Sequence, residues 1–296
     1  MGYLYLLAAV IGSSSLVILL KVFELKNVNI NLGITINYLV GAILAFSTAS
    51  GSMSAAEIVH SGWFGAAALT GFTFMAALGI FGVSAQRSGV AITTISGRAA
   101  VVIPVVAAFI FYNERPTALK LSMLGLIIVA MVLILCKGGS GKGSAAVPAW
   151  AYLLPLSVFL ANGLSDVCVQ WSSRDKLPAD SSEIYSYFVG AMFLAGAATG
   201  FVFYLIEGFS KKKLHVPHAW DFGLGAILGV MNWVCTMGMF NALDYFEGSV
   251  FYPLYYTGAI VVSTVVGVWV FRERLSKTNW IGVAIAITAI AAISMA

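Results

Sequence analysis

Charge is what this sequence has least of. Of its 296 residues only 9% are Asp, Glu, Lys or Arg, whereas 60% are hydrophobic. A soluble chain of that length needs far more charge to cover its surface, so a water-soluble globular fold is excluded. Histidine is scarce as well: His60, His215 and His218 fall in loops or at helix ends, with no metal-ligand spacing. No His/Asp/Glu cluster exists to do acid–base work, so the chain is not expected to be an enzyme, and no metal or cofactor is expected. Cys136, Cys168 and Cys235 lie in or near apolar runs without paired spacing. They read as small packing residues and say nothing of redox compartment. The alternation of a transmembrane barrel is missing, as is the ladder of polar residues a channel pore would need. A formal charge of +4 is small, and Lys211-Lys212-Lys213 is an isolated run. It fits a topology or lipid-headgroup element, not a nucleic-acid site.

What the chain does have is a succession of apolar runs, each about 20 residues long, the length that crosses a hydrocarbon core. Ten can be marked, near 3–21, 30–49, 62–82, 88–111, 118–136, 150–170, 183–206, 220–240, 247–271 and 278–295. All are predicted to be helices, since lipid-exposed backbone must satisfy its own polar groups. The first run lacks a basic leader and a cleavage-like end, and is expected to be a retained span. Between the fifth and sixth lies Lys137-Gly138-Gly139-Ser140-Gly141-Lys142-Gly143-Ser144, a flexible linker by composition. It is not a phosphate loop: Gly143, not Ser or Thr, follows Lys142, and membrane helices flank it.

Either side of that linker the halves correspond. Phe111-Tyr112-Asn113-Glu114-Arg115 closes the fourth span, and Phe271-Arg272-Glu273-Arg274 closes the ninth. Gly12-Ser13-Ser14-Ser15 answers Gly163-Leu164-Ser165-Asp166, and Tyr38-Leu39-Val40-Gly41-Ala42 answers Tyr187-Phe188-Val189-Gly190-Ala191. Gly71 answers Gly229, Gly89 answers Gly248, and Arg98 precedes Glu114 by the same interval as Thr257 precedes Glu273. Matches in consistent order indicate a duplication. The expected organisation is a first five-helix repeat over 1–136, a linker over 137–149 and a second repeat over 150–296. An odd number of spans per repeat turns the second upside down relative to the first, the plan of secondary transporters. Small-xxx-small pairs, Gly196/Gly200 and Gly225/Gly229, should let helices approach closely. The Glu-Arg corners read as interfacial charges that stop a helix and pair locally.

Each fourth helix of a repeat ending in aromatic-x-Glu-Arg, each fifth opening toward a glycine (Gly125, Gly282), and Pro104 about ten residues before Glu114 resemble the drug/metabolite transporter superfamily, in particular its EamA-like branch. The second half departs from that pattern, with Ser263 in the place of the proline and Pro253 lying earlier. The resemblance covers nearly the whole chain. It implies alternating access around a central cavity lined by spans one, three, four, six, eight and nine, and cargo among amino acids, sugars, nucleotide sugars or drugs.

Ionisable groups inside spans cost roughly 2.5–3.5 kcal/mol each on insertion scales and mark function. Arg98 lies within span four, a turn after Thr94. Its planar fork suits a carboxylate or phosphate; the alternative is a structural pair, with a carboxylate or with carbonyls freed by Pro104. Asn162, Asp166 and Gln170 recur at i, i+4 and i+8 and form one polar stripe on span six. Asp166 could couple transport to a cation or proton, or pair with Arg98, and its closeness to the end of the span places it near one mouth. Tyr252 and Tyr256 share a face of span nine, with Tyr255 a third of a turn away. They suit the wall of a small-molecule pocket or an interfacial belt. Asn232, Trp233 and Thr236 in span eight are weaker candidates, and Ser14 answers Ser165 in the repeat.

The sequence therefore predicts an all-α integral membrane protein with ten transmembrane helices in two inverted five-helix repeats. Its expected function is secondary active transport of a small polar or anionic metabolite, with a multidrug exporter of the same superfamily as the alternative. The expected substrate-binding residues are Arg98, Thr94, Ser14, Asn162, Asp166, Asn232, Trp233, Tyr252, Tyr255 and Tyr256. The partners open to it are a small-molecule substrate, the lipid bilayer of the cell membrane, a coupling proton or ion, and a second copy of the chain. Of the 16 Lys and Arg, eleven fall in the odd-numbered loops. The positive-inside rule then puts both termini outside, whereas the family resemblance implies both inside.

Overall fold

The computed structural model describes residues 1–88, 96–135, 153–178, 182–210 and 216–269, with isolated residues between 277 and 288. Every regular element among them is helical. The helices are α1 (Gly2–Leu25), α2 (Ile30–Ser47), α3 (Ala55–His60), α4 (Phe64–Ser88), α5 (Val102–Phe111) and α6 (Ala118–Leu135). They continue with α7 (Leu153–Trp171), α8 (Ser182–Ser210), α9 (Ala219–Leu243) and α10 (Gly248–Trp269). Six, namely α1, α2, α4, α7, α8 and α9, are long and apolar enough to cross a membrane. Their outer faces are apolar: Leu4, Ile43, Phe72, Leu160 and Phe201 all stand exposed. This is the architecture of a membrane-embedded, all-helical protein.

Local chemistry sets the helix ends. Asn29 caps α2 by accepting from the Leu32 N–H at 2.9 Å. Ser54 and Glu57 form a capping box on α3, an element the apolar periodicity does not reveal although Ser-x-x-Glu encodes it. Those bonds to Ser54 hold the Glu57 carboxyl below its usual range. Pro104 cannot donate to the Ala100 carbonyl, and Ile103 N–H donates to it instead at 2.9 Å. The helical turn that carries Arg98 is thereby set off from α5 by an irregular turn at Ala100–Val101. The carbonyl that the proline would leave free is not left to Arg98. Past Trp171 the chain winds on as a π turn over Ser172–Lys176, beyond the end expected for the sixth span.

The described residues form two compact units, and the chain passes between them within α4, within α7 and between α9 and α10. Unit 1 comprises residues 1–76 and 168–245. In it α9 packs against α1 and α2, and α2 packs against α8. Gly225 and Gly229 make the α2–α9 approach possible: a Cβ on Gly229 would lie 2.6 Å from the Asn37 carbonyl oxygen, and one on Gly225 2.9 Å from that of Gly33. Asp221, almost fully buried, ties the starts of both helices. Its carboxylate accepts from the Asn29 N–H at 3.0 Å and from the His218 N–H at 2.6 Å.

Unit 2 comprises residues 77–167 and 246–296. Here α10 packs against α5 and α6. Gly163 of α7 abuts the Ile103 side chain.

Candidate functional site

Unit 2 gathers most of the polar residues singled out in the sequence. Asp166, on α7, is 5% exposed. Two tyrosines of α10 reach it from one helix face, as their i, i+4 spacing requires. Tyr256 donates its hydroxyl to Asp166 Oδ2 at 2.5 Å, and Tyr252 donates to the Asp166 backbone carbonyl at 2.8 Å. Tyr255 packs beside them, stacked on Phe251 at 5.7 Å and edge-on to Tyr256 at 5.2 Å. All three tyrosines are buried, so they are not an interfacial belt.

Arg98 completes the cluster over the face of the Tyr256 ring. Its guanidinium carbon lies 5.5 Å from the ring centroid, a cation–π arrangement. Arg98 is half-buried, and among the described residues it forms no ion pair with any carboxylate. Arg98 and Asp166 make no direct salt bridge, although the guanidinium is close enough for its charge to act on the carboxylate. Asn162, one turn before Asp166, packs against Gly97: a Cβ there would lie 3.0 Å from Asn162 Nδ2. Arg98, Asn162, Asp166, Tyr252, Tyr255 and Tyr256 thus converge in one unit.

Asp166 is buried, and α7 with its π extension runs on past it to Lys176. Glu114, expected to pair locally at a helix stop, is bonded far along the chain. It is 7% exposed and accepts from Gly248 N–H and Ser249 N–H, both at 2.9 Å and more than 130 residues away. Its neighbour Arg115 is exposed, and Glu273 lies outside the described residues.

The other candidates are placed elsewhere. Ser14, Asn232 and Trp233 belong to unit 1. Ser14 is buried and donates to the Val10 carbonyl at 2.7 Å. Asn232 is buried, whereas Trp233 is half-buried with its indole nitrogen unpaired among the described residues. Thr94 lies outside the described residues. Unit 1 also holds fully buried polar groups without a hydrogen-bond partner among the described residues: both amide atoms of Asn37 and of Gln170, and the Tyr38 hydroxyl. Unpaired groups of this kind are costly in a low-dielectric interior. Asn37 sits mid-span like Arg98, so the same search for polar residues inside apolar runs would have found it. Among the described residues no group of three His, Cys, Asp or Glu side chains could hold a metal ion.

No protein-family model matches the chain. A solved structure, described only as a crystal structure of a protein, superposes with a TM-score of 0.73 at 14% sequence identity, covering 99% of this chain and 96% of that one. The chain thus adopts a known fold along its length. It is also 23% identical over 291 residues to an uncharacterized protein of Haemophilus influenzae (strain Rd), covering 96% of this chain and 95% of that protein. Neither likeness carries a function.

Proposed function

We propose that the chain is a secondary active transporter of the EamA-like, drug/metabolite type, with ten spans in two inverted five-helix repeats. On this reading it moves a small polar or anionic metabolite across the cell membrane by alternating access, driven by an ion gradient or by exchange. The observation that carries the reading is the Arg98–Tyr256–Asp166 arrangement. A guanidinium on a helix set among apolar runs rests on an aromatic face without a carboxylate partner among the described residues, beside a buried aspartate already engaged by tyrosine hydroxyls. A cation in such surroundings is expensive unless a partner neutralises it. A cargo carboxylate or phosphate that binds and leaves supplies that partner for part of each cycle, and the guanidinium fork suits either group. The ordered repeat matches between the halves support the inverted plan.

The test is flux in proteoliposomes. A thermal-shift screen of small carboxylates, phosphates and zwitterions selects a ligand, since binding only to the folded state raises its apparent stability. Uptake of that ligand should saturate and be accelerated by the same compound on the opposite side. Flux that rises linearly with concentration and ignores trans substrate would identify a pore. Cysteine labelling that placed the two termini on opposite sides would rule out ten spans.

A further inference from the structure

The start of α10 has an unusual way of satisfying its backbone. A helix leaves its first four N–H groups without intrahelical partners, and a short polar N-cap side chain normally serves one of them. At α10 the N-cap residue is Glu247, whose carboxylate is directed away to Lys120 Nζ. The Glu247 carbonyl accepts from Phe251 N–H at 2.8 Å, the first regular bond of the helix, and from Val250 N–H at 3.0 Å. Gly248 N–H and Ser249 N–H, which have no carbonyl a turn earlier in the helix, both donate to Glu114. One carboxylate from far along the chain thus serves two of the open N–H groups, and its charge also complements the positive end of the helix. Asn113 brings it there: it adopts a left-handed conformation, φ 52, and turns the chain just after α5.

The next turn of α10 makes this cap consequential. Pro253 has no N–H to give the Ser249 carbonyl, so the first turn lacks one of the bonds that would tie it to the rest of the helix. Tyr252, whose hydroxyl holds the Asp166 carbonyl, stands immediately before that proline, and Tyr256 follows one turn later. We propose that Glu114 is a positioning residue for the Asp166 site: by capping α10 from the turn after α5 it keeps Tyr252 and Tyr256 on Asp166. The Glu of the aromatic-x-Glu-Arg corner then acts on the site through a helix terminus, without touching a ligand.

The experiment uses the full chain in lipid nanodiscs and two readouts that need no substrate, so it stands apart from the transport reading. Hydrogen exchange reports the Gly248–Phe251 amides, and carbodiimide modification, read by mass spectrometry, reports access to the Asp166 carboxyl. Glu114→Ala should raise exchange over Gly248–Phe251 about five- to tenfold, the size of a lost cap, and raise Asp166 modification in parallel. Adding Glu247→Asp places a short carboxylate at the N-cap itself and should restore both readouts, because an N-cap side chain in cis accepts from the Ser249 or Val250 N–H of the same first turn. Faster exchange with unchanged Asp166 modification would overturn the positioning role, and failure of the cis cap to restore exchange would overturn the capping role. Should Glu114→Ala not insert, Glu114→Gln keeps one acceptor oxygen and should give intermediate values on both readouts. Wild-type values in that variant would refute the proposal.

Discussion

Tyr256 hydrogen-bonds Asp166 through its hydroxyl at 2.5 Å while presenting its ring to the Arg98 guanidinium, 5.5 Å from the ring centre. One side chain therefore serves an acid at its tip and a base on its face. Removing only the tip, in Tyr256→Phe, leaves the cation–π contact and strips a donor from a buried carboxylate. The expected cost is roughly 1–3 kcal/mol, read as a lower midpoint of thermal unfolding in detergent. An unchanged midpoint would mean that Asp166 does not depend on this bond.

Arg98 is the variant that bears most directly on transport. Arg98→Gln should leave the protein folded and inserted but abolish saturable uptake of an anionic or zwitterionic ligand. Arg98→Lys should rescue poorly, because a point charge on a flexible stem lacks the bidentate fork. Near-normal uptake by Arg98→Gln would make the residue structural.

Asp221 gives a stability test remote from Arg98 in sequence and in a different unit. Asp221→Ala removes the acceptor for two backbone N–H groups whose bonds to it are part-buried. A loss of about 1–3 kcal/mol is expected, measured by equilibrium unfolding in mixed micelles. A loss well below 1 kcal/mol would show that the two helix starts hold together without it.

Two glycines should behave oppositely. A Cβ at Gly229 meets the Asn37 carbonyl oxygen at 2.6 Å, so Gly229→Ala should destabilise by about 1–3 kcal/mol through overpacking. Nothing lies within 4 Å of a Cβ at Gly79, inside α4. Gly79→Ala should be neutral or stabilising by up to about 1 kcal/mol. Equal effects in the same unfolding assay would contradict the packing described for α2 and α9.

The membrane class, the helical class and much of the site were legible because they depend on short-range pattern. Apolar run length located the six membrane-length helices among the described residues, the i, i+4 spacing put Tyr252 and Tyr256 on one face, and a charge inside an apolar run marked Arg98 and Asp166. The Gly225/Gly229 pair likewise announced a close helix contact. What escaped depends on partners distant in the chain. Nothing near Glu114 says that Gly248 and Ser249 will donate to it, and nothing near Asp221 names Asn29. The continuation of α7 past its expected end escaped because hydropathy falls at Ser172-Ser173-Arg174-Asp175-Lys176 while the backbone keeps winding as a π turn.

The bond between Asn29 and Asp221 also sets a timetable. Unit 1 is assembled from residues 1–76 and 168–245, so α2 leaves the ribosome long before α8 and α9 exist to cover it. At about 5–20 residues per second, the roughly 190 residues between Asn29 and Asp221 take about 10–40 s to synthesise. For that interval Asn37 has bilayer or insertion machinery where α9 will later lie, and the Asn29 N–H has no carboxylate. Biogenesis of this protein thus includes a stage in which a polar-faced helix is inserted but not yet packed, and substitutions at Asn37 or Gly229 act on that stage as well as on the finished fold.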